Sequence, residues 1–493
     1  MRDLTEKALE ICSKEGATYA DIRIVTIKDE NISVKKGNIE VMNLSTEKGF
    51  GIRSIANGGL GFAGSYEITP EEIERVAKLA VRIAKASGAL RKEPIAFVDE
   101  KPVEDDYQTP MKKDPFEVPS EEKLAVLVEA DKRLRNHDPE RIKMTQTDYR
   151  GHQEDKIFAS SEGAYITQQI TFCGGGISCT AVSPGTQPQR RSFPGSFRGD
   201  FSTKGYEYFQ GLKLLENIEK TANEALALTE AKHCPTDKTT LLIDGHQLML
   251  QIHESCGHPT ELDRVLGTEA AYAGTSFMTP DLLGELHYGS KHVTLTADST
   301  LPGGLGTFGY DDEGVQAKRV ELVKDGLFVG YQSSRETAAI IGLEESSGGM
   351  RADSPQKLPL IRMVNINLEP SDGWKRNEII EETKNGILMS TNKSWSIDDK
   401  RLNFQFGTEI AWEIVDGEIG QLLKNPTYTG ITPQFWGSMD ASSGDDWRLW
   451  GTPNCGKGQP GQVMYVGHGC GTARFNNVRV GVMQEETRPH GVQ

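Results

Sequence analysis

Along the first fifteen positions the apolar residues fall on one helical face. Leu4, Ala8, Leu9, Ile11 and Cys12 recur at near-helical spacing and Gly16 stops the run, which predicts a short helix over 3–15. The period then shortens towards two. ADIRIV (20–25), short apolar runs near 32–34 and 39–42, GFGIRSI (49–55) and LGFAG (60–64) read as strands, with Asn57-Gly58-Gly59 as a hairpin turn. A second helix begins at an N-cap, Thr69, with Pro70 at the first helical position and Glu72 placed to close a capping box. Its expected buried stripe is Ile73, Val76, Ala77, Ala80, Ile83 and Ala84.

Five prolines between 87 and 119, mixed with many charges, predict an extended connection, and a helix starts at Ser120. Alternating segments near 142–149, 156–160, 165–172 and 176–183 read as further strands, 183–198 as a loop, and about 208–231 as another helix. Cys234-Pro235 marks a boundary, because beyond it glycine is frequent and strand-like runs dominate. The pattern predicts an α+β protein. An N-terminal α/β domain (1–234) has a small antiparallel sheet and helices. A C-terminal, predominantly antiparallel β domain (235–493) carries one metal-binding helix.

Composition narrows the classes. A chain of 493 residues is long for a single core, consistent with two domains. No stretch approaches the roughly 20 consecutive apolar residues of a membrane span, and the charged N-terminus lacks the core of a secretory signal, so a cytoplasmic protein is expected. Fifty-five basic against 71 acidic side chains give a formal net charge of −16, which disfavours nucleic acid as a partner. Seven cysteines, an odd number over a long chain, read as thiols rather than a disulfide framework.

The exceptional helix of the second half carries the chemistry. TTLLIDGHQLMLQIHESCGHPTEL (239–262) reads as a strand, an Asp244 N-cap and an apolar helix that ends at Gly257-His258-Pro259. Within it lies His253-Glu254-x-x-x-His258. Neutral imidazoles suit zinc, and a glutamate next to the first ligand can take a proton from an activated water. The zincin pattern has two residues between Glu and the second His; here there are three. Residues five apart in a regular helix differ by about 140° around the axis, so a regular turn cannot align the two rings. A wide turn with i to i+5 bonding can, and one is predicted between His253 and His258, eased by Gly257 and ended by Pro259. Glu261 and Asp263 are placed to orient a ligand imidazole. For a third ligand, Cys455 in the glycine-rich TPNCGKGQPGQ (452–462) has rivals in His468 and Cys470 of VGHGCG (466–471), for which packing or a supporting role behind a ligand is favoured; Cys256 points elsewhere on the helix. Tyr310, His292 and His468 are candidate donors to a developing oxyanion. GGLGTFGYDDEG (303–314) is a turn-rich segment that could flex to admit substrate.

Several longer segments in the same order resemble the TldD/PmbA metallopeptidases, also described as modulators of DNA gyrase. They are YADIRIV and GFGIRS near the start, IHESCGHPTELDRVLG, YAGTSF, GYDDEG, SWSIDDKRLNFQFGTEIAWEI, and NCGKGQPGQ with HGC near the end. The resemblance covers nearly the whole chain and implies a zinc peptidase acting on peptides and unfolded polypeptides, with the substrate cavity in a dimer. By position it implies His253, His258 and Cys455 as metal ligands and Glu254 as general base. PmbA-type members lack the metal motif and act as partners, so the resemblance implies an active TldD-type chain, in a homodimer or paired with such a paralogue.

Overall fold

The computed structural model describes residues 1–458 and 461–481, so Gln459 and Pro460 of the glycine-rich stretch lie outside the described residues. The fold is α+β, with two large sheets. The first helix, α1 (Arg2–Lys14), leads into the long hairpin β1 (Tyr19–Lys35) and β2 (Asn38–Ala56), then β3 (Gly59–Ser65) and α2 (Pro70–Gly88). Strand β4 (Glu104–Gln108) and helix α3 (Ser120–His137) precede a second long hairpin, β5 (Ile142–Ser160) and β6 (Tyr165–Ala181), and the shorter β7 (Gln189–Phe193) and β8 (Asp200–Ser202). Together these strands form one eight-stranded sheet with the path β3-β2-β1-β5-β6-β4, in which β7 and β8 also pair with β6.

This sheet is larger than the small one expected. The separate strand pieces fuse into strands of 17 to 19 residues, because the stretches between them are also paired to a neighbouring strand. The proline-rich connection contains β4, which runs parallel to β6, and the expected 183–198 loop contains β7. The expected 208–231 helix is two helices, α4 (Tyr206–Gly211) and α5 (Ile218–Glu230).

Local signals act as read where the physics is local. Asn57 and Gly58 both take positive φ, as a tight primed hairpin turn requires. Thr69 Oγ1 accepts the Glu72 N–H at 3.2 Å, and Pro70 opens α2. Glu72 spends its carboxylate on Arg75 rather than on the cap backbone. Helix α2 lies so close to β3 that a Cβ at Gly61 would sit 2.0 Å from the Ala80 carbonyl, which explains its alanine-rich face. The buried face of α2 includes Val81 and leaves Ile83 39% exposed, correcting one position of the expected stripe.

The second sheet runs in the order Asn385–Ile397, Asp237–Ile243, Ala473–Val480, Thr427–Ile431, Asn403–Val415, Glu418–Lys424, Lys232–His233, with Met439–Ser442 on Ala473–Val480. Most of its pairings are antiparallel. Its core continues through Ile170, Phe172 and Phe201 of the first sheet, so the two halves share one apolar interior.

Buried charge joins the same halves. Arg53 of β2 binds Asp21 Oδ2 through Nε and Nη2 at 2.8 and 2.6 Å and Glu313 Oε1 through Nη1 at 2.6 Å; all three side chains are at most 3% exposed. Arg23 and Lys156 hold Asp312 at 2.8 and 2.5 Å. The GYDDEG segment is thus pinned to the first sheet, contrary to a flexible admission loop. Replacing one side of a buried pair leaves a bare charge, so Arg53→Ala should lose about 3–5 kcal/mol in urea unfolding. Arg53→Ala with a wild-type urea midpoint would contradict it.

Candidate metal centre

Strand Asp237–Ile243 delivers the chain to Asp244 and helix α6 (Gly245–Ile252), whose apolar residues Leu248, Met249 and Ile252 enter the main core. At His253 the helix widens into a π turn, His253–Gly257, and closes in a 3₁₀ turn, His258–Thr260. The His258 N–H bonds to the His253 carbonyl, an i to i+5 link between the two histidines of the motif.

Widening the turn frees backbone groups, and the fold satisfies them. Tyr288 Oη donates to the Ser255 carbonyl at 2.9 Å, Thr260 Oγ1 to that of Cys256 at 2.8 Å, and Gln332 Nε2 to that of Gly257 at 2.8 Å. Trp436 Nε1 donates to Ser255 Oγ at 2.9 Å. Gly257 has ordinary helical φ of −55°; its role is space, since a Cβ there would lie 2.1 Å from Met363 Sδ.

The rings meet at right angles with centroids 4.8 Å apart. Cys455 reaches them from strand Arg448–Lys457, paired with Gln462–Cys470. It occupies a strand rather than the expected loop, just past an irregularity between Thr452 and Cys455. Its Sγ is 3.8 Å from His258 Nε2, and the donor atoms of His253, His258 and Cys455 lie within 4.8 Å of one another. All three residues are buried.

Hydrogen bonds behind the rings select which nitrogens stay free. His258 Nδ1 lies 2.9 Å from Glu261 Oε2, so its N–H donates to that carboxylate oxygen and the Nε2 lone pair is left facing Cys455. His468 Nδ1 faces the Ile366 carbonyl at 3.3 Å, which can only accept. A neutral His468 therefore presents an unprotonated Nε2 to His253 Nδ1 at 2.9 Å, and His253 in turn keeps a free Nε2. His468 stands behind a candidate ligand and is not one of the converging set.

Burial holds His253 below the ordinary histidine pKa and His258 well below it, which favours neutral, metal-binding rings. Burial pushes the Cys455 thiol up, but Arg362 and then His258 outweigh it and the net shift is downward. Arg362 donates through Nη2 to the Cys455 carbonyl at 2.5 Å. Lys457, fully buried, pairs with Glu261 Oε1 at 3.3 Å and Asp263 Oδ1 at 2.8 Å. Asp263 therefore serves Lys457 and not an imidazole. Two neutral nitrogens and one sulfur suit zinc; its bond lengths and a tetrahedral angle require an N···S separation of about 3.6 Å, close to the distance present.

Glu254 is buried beside the cluster, with Arg401 Nη1 2.5 Å from its Oε2. The other sequence candidates lie elsewhere. Cys256 is part of the apolar core, and Cys470 Sγ donates to the Gly245 carbonyl at 3.2 Å. Tyr310 Oη donates to Asp105 at 2.5 Å in a cluster with Phe158 and Ile166, and His292 pairs with Asp372 at 2.6 Å. Arg401 and Arg362, which sequence reasoning missed, carry no spacing signal. Arg401 belongs to the SWSIDDKRLNF segment, whose resemblance marked it without giving it a role.

Comparison with known proteins identifies the family and the fold. Residues 20–84, 113–232 and 236–482 match domain 1, the central domain and the C-terminal domain of the PmbA/TldA metallopeptidases. A metalloprotease of Methanocaldococcus jannaschii is 32% identical over 469 residues, covering 95% of this chain and 97% of that protein. The chain belongs to the PmbA/TldD metallopeptidase family. A relative named zinc metalloprotease TldD homolog, from Saccharolobus solfataricus, is 22% identical, covering 96% of this chain and 99% of its own. A Thermotoga maritima protein described as a modulator of a DNA gyrase shares the fold, with TM-score 0.75, 16% identity, and 97% of this chain and 100% of that one covered. So does TldE from Thermococcus kodakarensis, with TM-score 0.69, 18% identity, and 97% and 100% coverage. Among the described residues no helix is long and apolar enough to cross a membrane.

Glu261→Gln weakens the acceptor behind His258, so zinc affinity, titrated against a competing chelator, should fall roughly 10- to 100-fold; an unchanged affinity would remove Glu261 from the site. A second expectation concerns His246 at the start of α6. Burial, then Arg448 and Arg191, push it down to about 3, and its two ring nitrogens face the N–H groups of Ser196 and Asn392, both at 3.3 Å. The unfolded chain binds this proton near 6.5 and the folded chain only near 3, so its stabilisation is full above 6.5 and falls with pH between these values. Urea unfolding should lose about 1.4 kcal/mol per pH unit from this group in that window, and His246→Leu should lack that slope.

Proposed function

We propose that this chain is a zinc-dependent peptidase that hydrolyses peptides or unfolded polypeptides, with His253, His258 and Cys455 as metal ligands and Glu254 as general base. The observation that carries the reading is the convergence of three buried donor atoms whose other ring nitrogens are already engaged. When bound there, zinc supplies a Lewis acid that lowers the pKa of water towards 7 and polarises a carbonyl. Glu254 takes a proton from the attacking water and passes it to the leaving amine. Glu261 and His468 hold the two rings in the orientation and tautomer that ligation needs.

The reading includes a cytoplasmic location and a dimer, formed with a second copy or with a paralogue lacking the motif, and a division at Cys234-Pro235 between an α/β domain (1–234) and a catalytic domain (235–493). The relatives' names as metalloproteases support the activity; substrate class and assembly rest on the family resemblance.

Glu254→Gln should retain one zinc per chain and lose cleavage of an unfolded protein by at least about 10²-fold, whereas Cys455→Ala should lose the metal itself. Full activity in Glu254→Gln would contradict the proposed mechanism. Zinc-free protein that binds polypeptide without cleaving it would favour a non-catalytic peptide-binding subunit instead.

A further inference from the structure

The strands Asn385–Ile397 and Asn403–Val415 are joined by a turn over 398–402 that is fastened from several sides. Asp398 accepts the N–H groups of Leu402 and Asn403 at 2.8 and 3.1 Å and Asn403 Nδ2 at 2.6 Å, and the Arg401 N–H donates to its carbonyl at 2.9 Å. The YAGTSF segment grips the outside, with Thr275 and Phe277 N–H donating to the carbonyls of Asp399 and Lys400 at 2.9 and 3.0 Å. Gly274, at φ +88°, makes that approach possible, since a Cβ there would lie 2.3 Å from the Asp399 oxygen. Thr432 Oγ1 donates to the Arg401 carbonyl at 2.9 Å.

At the centre of this platform Arg401 is held at φ +63°, in the left-handed region that a side-chain-bearing residue occupies at a cost. The result is a guanidinium with Nη1 2.5 Å from Glu254 Oε2 and with a buried Nε that has no hydrogen-bond partner among the described residues. A buried donor without an acceptor is unfavourable unless something arrives to use it. The contact also covers an oxygen of the residue read as the base.

We propose that Arg401 is a catalytic residue of this hydrolysis: it rests on Glu254 in the free protein and, when an extended polypeptide enters, donates to the oxygen of the scissile carbonyl. The inference rests on the reading of Glu254 as general base. In the step, the water oxygen bonds to the carbonyl carbon, the C–N bond breaks, and a water proton passes through Glu254 to the leaving nitrogen. Arg401 keeps all its protons and changes only its acceptor, which suits a side chain that stays charged at every working pH. Negative charge develops on the carbonyl oxygen beside a fixed donor in a water-poor site, where such a donor is most effective.

Glycine tolerates positive φ, so Arg401→Gly removes the side chain without straining the turn and leaves room for a small cation. With zinc-loaded protein and an unfolded protein substrate, kcat should fall roughly 10²- to 10³-fold while KM changes little and zinc stoichiometry stays that of wild type. Millimolar guanidinium should restore part of the lost kcat, and methylammonium should not. A kcat within about threefold of wild type, or a loss that tracks lost zinc and resists guanidinium, overturns the proposal. Should Arg401→Gly fail to fold, Arg401→Lys decides. It keeps the charge but not the planar fork, and kcat should fall at least about tenfold, with a wild-type kcat overturning the role. Glu254→Gln run alongside separates the two claims. If it is inactive while Arg401→Gly is active, only Arg401 loses its role; if it is fully active, the reading of Glu254 falls as well.

Discussion

One backbone hydrogen bond, from His258 N–H to the His253 carbonyl, sets the geometry on which the centre depends. In a regular helix the fifth residue on is turned about 140° from the first, so the two side chains leave the helix on different faces. The wide turn removes that mismatch but strands carbonyls that the helix would otherwise use. Tyr288, Thr260 and Gln332 each supply a donor to one of them, and Gly257 leaves space for Met363. The local irregularity is therefore maintained from the next turn by Thr260 and from 33 and 75 residues downstream by Tyr288 and Gln332.

Charge around the cluster follows the same logic of compensation. A buried carboxylate alone would be strongly unfavourable, yet Glu261 sits between His258 and Lys457, and Lys457 also reaches Asp263. Arg362 adds a permanent positive charge beside the Cys455 backbone. These pairs give the buried acidic groups opposite charges as partners within an apolar core, and Glu261 fixes the direction in which His258 presents its free nitrogen.

Much of this was legible in the sequence wherever a signal acts over a few residues. Asn57-Gly58 specifies a turn, Thr69-Pro70 a helix start, and the five-residue spacing of His253 and His258 a wide turn. The long strands were not legible. In β5 the polar run 150–155 reads as a break, but His152 is buried against Asp29 of β1, and Glu154 against Lys156, which Asp312 of GYDDEG also holds. Periodicity counts apolar residues and cannot see charges that are paired from far along the chain. The same limit applies to the site. His468, Arg362 and Arg401 act across separations of 93 to 215 residues, so their roles appear only when the strands are assembled. Family resemblance singled out Cys455 where spacing left it level with His468 and Cys470, and the fold then brought its sulfur to the rings.

The central claim is that this sulfur and the two imidazoles share one ion. X-ray absorption at the zinc edge, on protein loaded with one equivalent of zinc, tests it most directly. The account predicts one sulfur at about 2.3 Å and at least two nitrogens at about 2.0–2.1 Å. A wild-type shell of nitrogen and oxygen alone would contradict it.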